Sequence, residues 1–89
     1  MDAVEIRAKI KEIIANVASL DPRDIGDTAS FVDDLQLDSL SLLEIGVDVD
    51  YEFKLGVPEE RLQELRTVQD TVELVVNTLA AKAGRAQVA

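Results

Sequence analysis

Apolar residues recur at helical spacing in three stretches of the chain. In the first, Ile6, Ile10, Ile13, Ile14 and Val17 form one stripe, while Arg7, Lys9, Lys11 and Glu12 fall mostly on other faces. This predicts a helix from about Ala3 to Ser19, with the acids Asp2 and Glu5 at its start. Asp21-Pro22 is expected to stop it, because proline disfavours a helical conformation in the residue before it. In the second stretch, Leu42, Ile45, Val49 and Phe53 share a stripe with Leu43 and Val47 beside it. That helix is expected to run from Asp38 or Ser39 to near Lys54, and Gly56 is placed to end it. Gly46, inside it, should weaken it by about 0.5–1 kcal/mol relative to alanine. The third stripe carries Val68, Val72, Val75, Val76 and Leu79, with Thr67 and Asp70 marking its start. A short helix fits Pro58 to Leu65, since proline suits a first turn and Glu59 and Glu60 suit the positive end of the dipole.

Between the first two helices, Asp21 to about Asp38 reads as a long loop. It is polar at Arg23, Asp24, Asp27 and Thr28, yet carries Ile25, Phe31, Val32, Leu35 and Leu37 as expected anchors across the helices. Loops of this length inside a compact domain are uncommon and often functional. Amphipathic helices that cannot bury their stripes alone must bundle. The expected fold is all-α: a small four-helix bundle of three long helices and one short, with a long first loop. It forms one domain over residues 1–83, and the alanine-rich end, residues 84–89, is expected to fray.

Composition narrows the function. An 89-residue chain holds one modest core, and 47% hydrophobic residues is too many for a disordered acidic tail. Phe31, Tyr51 and Phe53 are the aromatic residues, so the core must be aliphatic. The net charge of -9 argues against nucleic acid or an anionic membrane as partner and favours a basic protein surface. With no cysteine there is no disulfide and no protein thiol nucleophile. No apolar run is long enough to span a bilayer, and the N-terminal segment lacks the apolar core of a signal peptide, so a cytoplasmic protein is expected.

Ser39 lies at a loop-to-helix junction, in Asp38-Ser39-Leu40. On local grounds Asp38 or Ser39 simply caps the helix. A catalytic serine needs a positioned base; the chain has no histidine, and the nearest following lysine, Lys54, is about 20 Å along the same helix. Asp48, Asp50 and Glu52 alternate like the start of a calcium loop, but the glycine and distal glutamate of such a loop are missing. They read as a solvated acidic face, and no metal site is expected.

The longer series is more specific. Ala29-Ser30-Phe31-Val32-Asp33-Asp34-Leu35, Leu37-Asp38-Ser39-Leu40, Glu44, Glu52-Phe53, Val57-Pro58-Glu59-Glu60 and Thr67-Val68-Gln69 resemble the acyl carrier protein family, in order and at family spacing. The resemblance implies a carrier rather than an enzyme. Ser39 would receive 4′-phosphopantetheine from coenzyme A through a separate phosphopantetheinyl transferase, and acyl or polyketide groups would ride as thioesters on the arm. It also implies a monomer whose second helix is read by basic docking surfaces of acyl-transfer and synthase enzymes. Asp38, Glu44 and Asp50 match the acidic contact positions; Leu43 and Val47 match exposed apolar ones, and Leu40 joins them. From Asp33 to Glu60 there are nine acids and one base, Lys54. Gln36 replaces a frequent glycine, Ser41 and Tyr51 frequent acids, and Gly46 and Asp48 are unusual in mid-helix. An aminoacyl or peptidyl carrier, and an unmodified helical interaction module, are the competing readings.

Overall fold

The three amphipathic stretches become three long helices, each begun by a side chain that accepts an otherwise unpaired backbone N–H. The structure is a computed structural model that describes the backbone of residues 2–88 and the side-chain surroundings of residues 2–82. In helix α1 (Ala3–Ala18) the Asp2 carboxylate accepts the Glu5 N–H at 2.9 Å. In helix α2 (Ser39–Phe53) Asp38 accepts the Ser41 N–H at 2.8 Å. Helix α3 (Glu59–Leu62) is a single turn, and α4 spans Val68–Val88. Ahead of α4, the Asp70 N–H donates to Thr67 Oγ1 at 3.1 Å, while Asp70 Oδ2 accepts the N–H groups of Arg66 and Thr67 at 3.1 and 3.2 Å.

The core joins Ile6, Ile10 and Ile14 of α1 to Ile45, Val49 and Phe53 of α2 and Val68, Val72 and Val75 of α4. Helix α1 packs on both α2 and α4. Thr71 is a buried polar residue in this interior, and its hydroxyl donates back to the Thr67 carbonyl at 3.1 Å, so it costs little there. At the surface Lys9 pairs with Glu52 at 3.3 Å, and Arg7 and Lys11 both reach Asp27, tying α1 to α2 and to the loop.

Three expectations need correcting. Helix α1 ends at Ala18, where Ser19 turns left-handed (φ 59°), and Pro22 opens a 3-10 turn, Pro22–Asp24, in place of terminating the helix. Val32 is no anchor: it is 58% exposed while Ile25 and Phe31 are buried and Leu35 and Leu37 half-buried. Residues 31–35 form a turn in which the Asp34 and Leu35 N–H groups both bond the Ser30 carbonyl at 3.0 Å. Neighbouring residues on so tight a turn cannot both face the core, and Phe31 takes that place.

The third correction concerns α3, which is half its expected length. Pro58 precedes its first turn, and beyond Leu62 the Glu64 and Leu65 N–H groups close tight three-residue bonds at 3.2 and 3.3 Å. The chain must then straighten for an isolated antiparallel bridge between Ser30 and Thr67. That bridge is flanked by Phe31 N–H to the Arg66 carbonyl at 2.9 Å and Val68 N–H to the Ala29 carbonyl at 3.1 Å. The frayed tail expected of residues 84–89 rests on side chains outside the described residues, as does Ala89 altogether.

Candidate functional site

The loop delivers Ser39 to the first position of α2 by a fixed sequence of turns. Gln36 adopts a left-handed conformation (φ 54°), the one a glycine would take without strain. The Leu37 N–H then bonds the Phe31 carbonyl at 2.9 Å, and Asp38 is extended, with its carbonyl accepting the Leu42 N–H at 3.0 Å. The Asp38 carboxylate is held below the ordinary aspartate range, first by the Ser41 N–H and then by the Ser41 hydroxyl. Capping therefore falls to Asp38. Ser39 is exposed, and among the described residues no side chain is hydrogen-bonded to its hydroxyl.

The local field is mixed. The N–H groups of Ser39 and Leu40 have no acceptor within the helix, and the dipole adds partial positive charge, which suits a phosphodiester. Asp33, Asp34 and Asp38, all exposed, oppose it. Asp34 also works locally, its Oδ2 accepting the Ser30 N–H at 2.7 Å. The chain supplies no histidine, and Lys54 lies at the far end of α2, so neither can serve Ser39 as a neighbouring base.

Beside Ser39 opens a largely apolar cavity of about 590 Å³, within the range of small-molecule sites. Ser39, Leu42, Leu43 and Gly46 line it from α2, Leu62 and Leu65 from α3 and the segment after it, and Phe31 from the loop. The sequence reading did not identify this cavity, because its walls lie far apart along the chain. The available signal was Gly46, a helix-weakening residue in mid-helix. A Cβ there would stand 3.0 Å from the Leu62 Cβ, so the glycine is what lets α3 lie close against α2.

The positions expected to meet partners divide into two groups. Leu40, Glu44 and Val47 follow one exposed face of α2, with Leu40 68% and Val47 51% exposed. Tyr51, 82% exposed, continues that face, a continuation the sequence reading did not make. Leu43 differs from expectation: it is half-buried and lines the cavity. Asp50 is also half-buried, and its Oδ1 accepts the N–H groups of Gly56 and Val57 at 2.9 and 3.2 Å. Its carboxylate therefore fastens the loop after α2. Among the described residues no group of three acids is placed to hold a metal ion, and no helix is long and apolar enough to cross a membrane.

Residues 8–75 match the family described as the phosphopantetheine attachment site. The chain is 38% identical to an acyl carrier protein of Thermosynechococcus vestitus, covering 91% of this chain and all of that one. It is 43% identical to a meromycolate extension acyl carrier protein of Mycobacterium leprae, covering 94% of this chain and 77% of its relative. In fold it resembles the apo doublet acyl carrier protein from prodigiosin biosynthesis, with a TM-score of 0.76 at 22% identity over 86% of this chain. It spans 38% of that doublet.

Proposed function

The chain belongs to the acyl carrier protein family, and from that premise we propose that Ser39 bears the 4′-phosphopantetheine arm of that family. The observation that carries the assignment is the placing of an exposed, uncommitted serine hydroxyl at the first position of α2 and at the mouth of an apolar cavity. A carrier without cysteine has no thiol of its own. When bound, the arm supplies that thiol, on which acyl or polyketide intermediates ride as thioesters.

Members of this family are carriers, not enzymes, and work with transferases and synthases. The residues fit that division of labour. Asp38 holds the start of α2 in place, Ser39 offers its hydroxyl, and the base that removes its proton comes from the phosphopantetheinyl transferase. Leu40, Glu44 and Val47, with the exposed acids Asp38 and Asp48, offer an acidic, partly apolar face to basic docking surfaces. The carrier acts as a cytoplasmic monomer in this reading. Leu42, Leu43 and Leu65 supply the cavity with walls for an aliphatic chain.

Incubation with coenzyme A and a broad-specificity phosphopantetheinyl transferase, followed by intact-mass measurement, tests the assignment. Wild type gains the mass of one phosphopantetheine and Ser39→Ala gains none, while its melting is unchanged because the cap is Asp38. Loading of the Ser39→Ala protein would move the site elsewhere.

A further inference from the structure

Among the described residues six large hydrophobic side chains are exposed, and three of them, Leu40, Val47 and Tyr51, lie on α2. On a helix of about 3.6 residues per turn, positions 40, 44, 47 and 51 fall within about 60° of arc, along a strip of about 16 Å. Tyr51, at 82%, is the most exposed of the six. Charge changes along this strip. Glu44 and Asp48 are exposed, and among the described residues neither is paired with a base. From Tyr51 onward the acids are engaged: Asp50 accepts the Gly56 and Val57 N–H groups, and Glu52 pairs with Lys9 at 3.3 Å. Lys54 is exposed at the end of the helix, and Lys82 of α4 donates to its carbonyl, which brings a second ammonium there. Tyr51, Lys54 and Gly56 border one open hollow with those two engaged acids.

The strip therefore reads acid, then aromatic, then base. Resting on the carrier reading above, we infer that Tyr51 is a specificity-determining residue for docking. It selects enzymes that set basic groups against Glu44 and Asp48 and an apolar recess, with no further base, against the end of α2. A tyrosine ring carries a large apolar area on only two side-chain torsions, so ordering it in a recess costs little, and its hydroxyl can stay at the wet rim. A base brought to the same place meets the ammonium groups of Lys54 and Lys82 and finds Asp50 and Glu52 already engaged. Like charges so placed reject a partner more effectively than the remaining contacts attract it. Attraction of a base to the ring face is the rival account, and it ranks partners in the reverse order.

The probe is an elongating condensing enzyme whose docking surface sets a basic side chain opposite the end of α2, together with its leucine variant at that place. The carriers are wild type, Tyr51→Glu and Tyr51→Phe, each loaded with the same acyl group from acyl-coenzyme A. KM and kcat are measured for every pair at low and at raised salt. Wild type should show a KM about fivefold lower with the leucine enzyme than with the basic one, and Tyr51→Phe should follow it. Tyr51→Glu should reverse the ranking at low salt, by up to about fivefold, and the reversal should shrink as salt rises. The differences should appear in KM and not in kcat.

Equal KM values for wild type with the two enzymes, or a preference for the basic one, would overturn the inference. A Tyr51→Glu carrier that keeps the wild-type ranking overturns it too. Where turnover is too slow to measure, the Kd values of the loaded carriers for the two enzymes decide on the same terms, and no binding of wild type to the leucine enzyme counts against the inference. A wild type that gains no phosphopantetheine mass overturns the carrier reading as well. A loaded wild type with the wrong ranking overturns this inference alone.

Discussion

The long loop and helix α3 flank the same serine and are held in opposite ways. The loop has only one 3-10 turn and an isolated bridge of regular structure, yet it buries Ile25 and Phe31 and exchanges backbone hydrogen bonds with residues 66–68. Helix α3 is regular but buries one side chain, Leu62, beside an open cavity. Firmness here follows burial rather than helical geometry. A loop with two side chains in the core is a fixed wall, and a helix with one side chain over a glycine is a yielding one.

Truncating each wall breaks the comparison most directly. Phe31 is 1% exposed, and Phe31→Ala should destabilise by about 3–5 kcal/mol, a large part of the total for a small domain. Leu62→Ala should cost about 2 kcal/mol, the low end for leucine, because its side chain already borders open space. Chemical denaturation of the two variants measures both. Equal costs would mean that α3 is as firmly seated as the loop.

A smaller effect sharpens the account of the loop. Gln36 holds a left-handed conformation that costs an ordinary residue about 1–2 kcal/mol, whereas glycine there loses about 0.5–1 kcal/mol in chain entropy. Gln36→Gly should therefore stabilise by about 0.5 kcal/mol, read as a small rise in melting temperature. A fall would show that the Gln36 side chain contributes something the backbone argument omits.

The smallest effect is on pH dependence. Asp27 is held below the ordinary aspartate range chiefly by its hydrogen bond to Lys11, and Asp38 chiefly by the Ser41 N–H. A carboxylate with a depressed folded-state pKa contributes stability above its unfolded value of about 3.9 and loses it as pH falls through the folded one. Asp27 fastens the loop to α1, and Asp38 caps α2 at the end of the loop. With no histidine to titrate, melting should stay level from about pH 5 to 8 and fall below about pH 4. Amide-exchange protection factors at Phe31 and Leu37, taken against the intrinsic rate at each pH, should fall in that acid range. A clear slope near pH 6.5 would contradict this assignment of the titrating groups.

Much of the bundle was legible because its information is local. The stripes Ile6–Ile10–Ile14 and Ile45–Val49–Phe53 announce their own buried faces, and Thr67 with Asp70 announces a helix start. Ser39 stood out through its place in a long ordered series of residues. What could not be read depends on meetings in space. Asp50 looks like one more surface acid until Gly56 and Val57 turn their N–H groups toward it. Val32 and Phe31 look alike as loop anchors until the turn at Ser30 chooses between them. Gly46 looked like a local defect, and only Leu62, sixteen positions on, gives it a use.

The bridge between Ser30 and Thr67 has a mechanical consequence. It pins the chain just after α3, while the Asp50 carboxylate pins it just before, at Gly56 and Val57. Helix α3 is therefore a strap buckled at both ends. A strap so held can rock about its two fastenings, and both must break before it peels away. Such rocking belongs to the nanosecond-to-microsecond range of loop motion, far faster than the opening of a bundle.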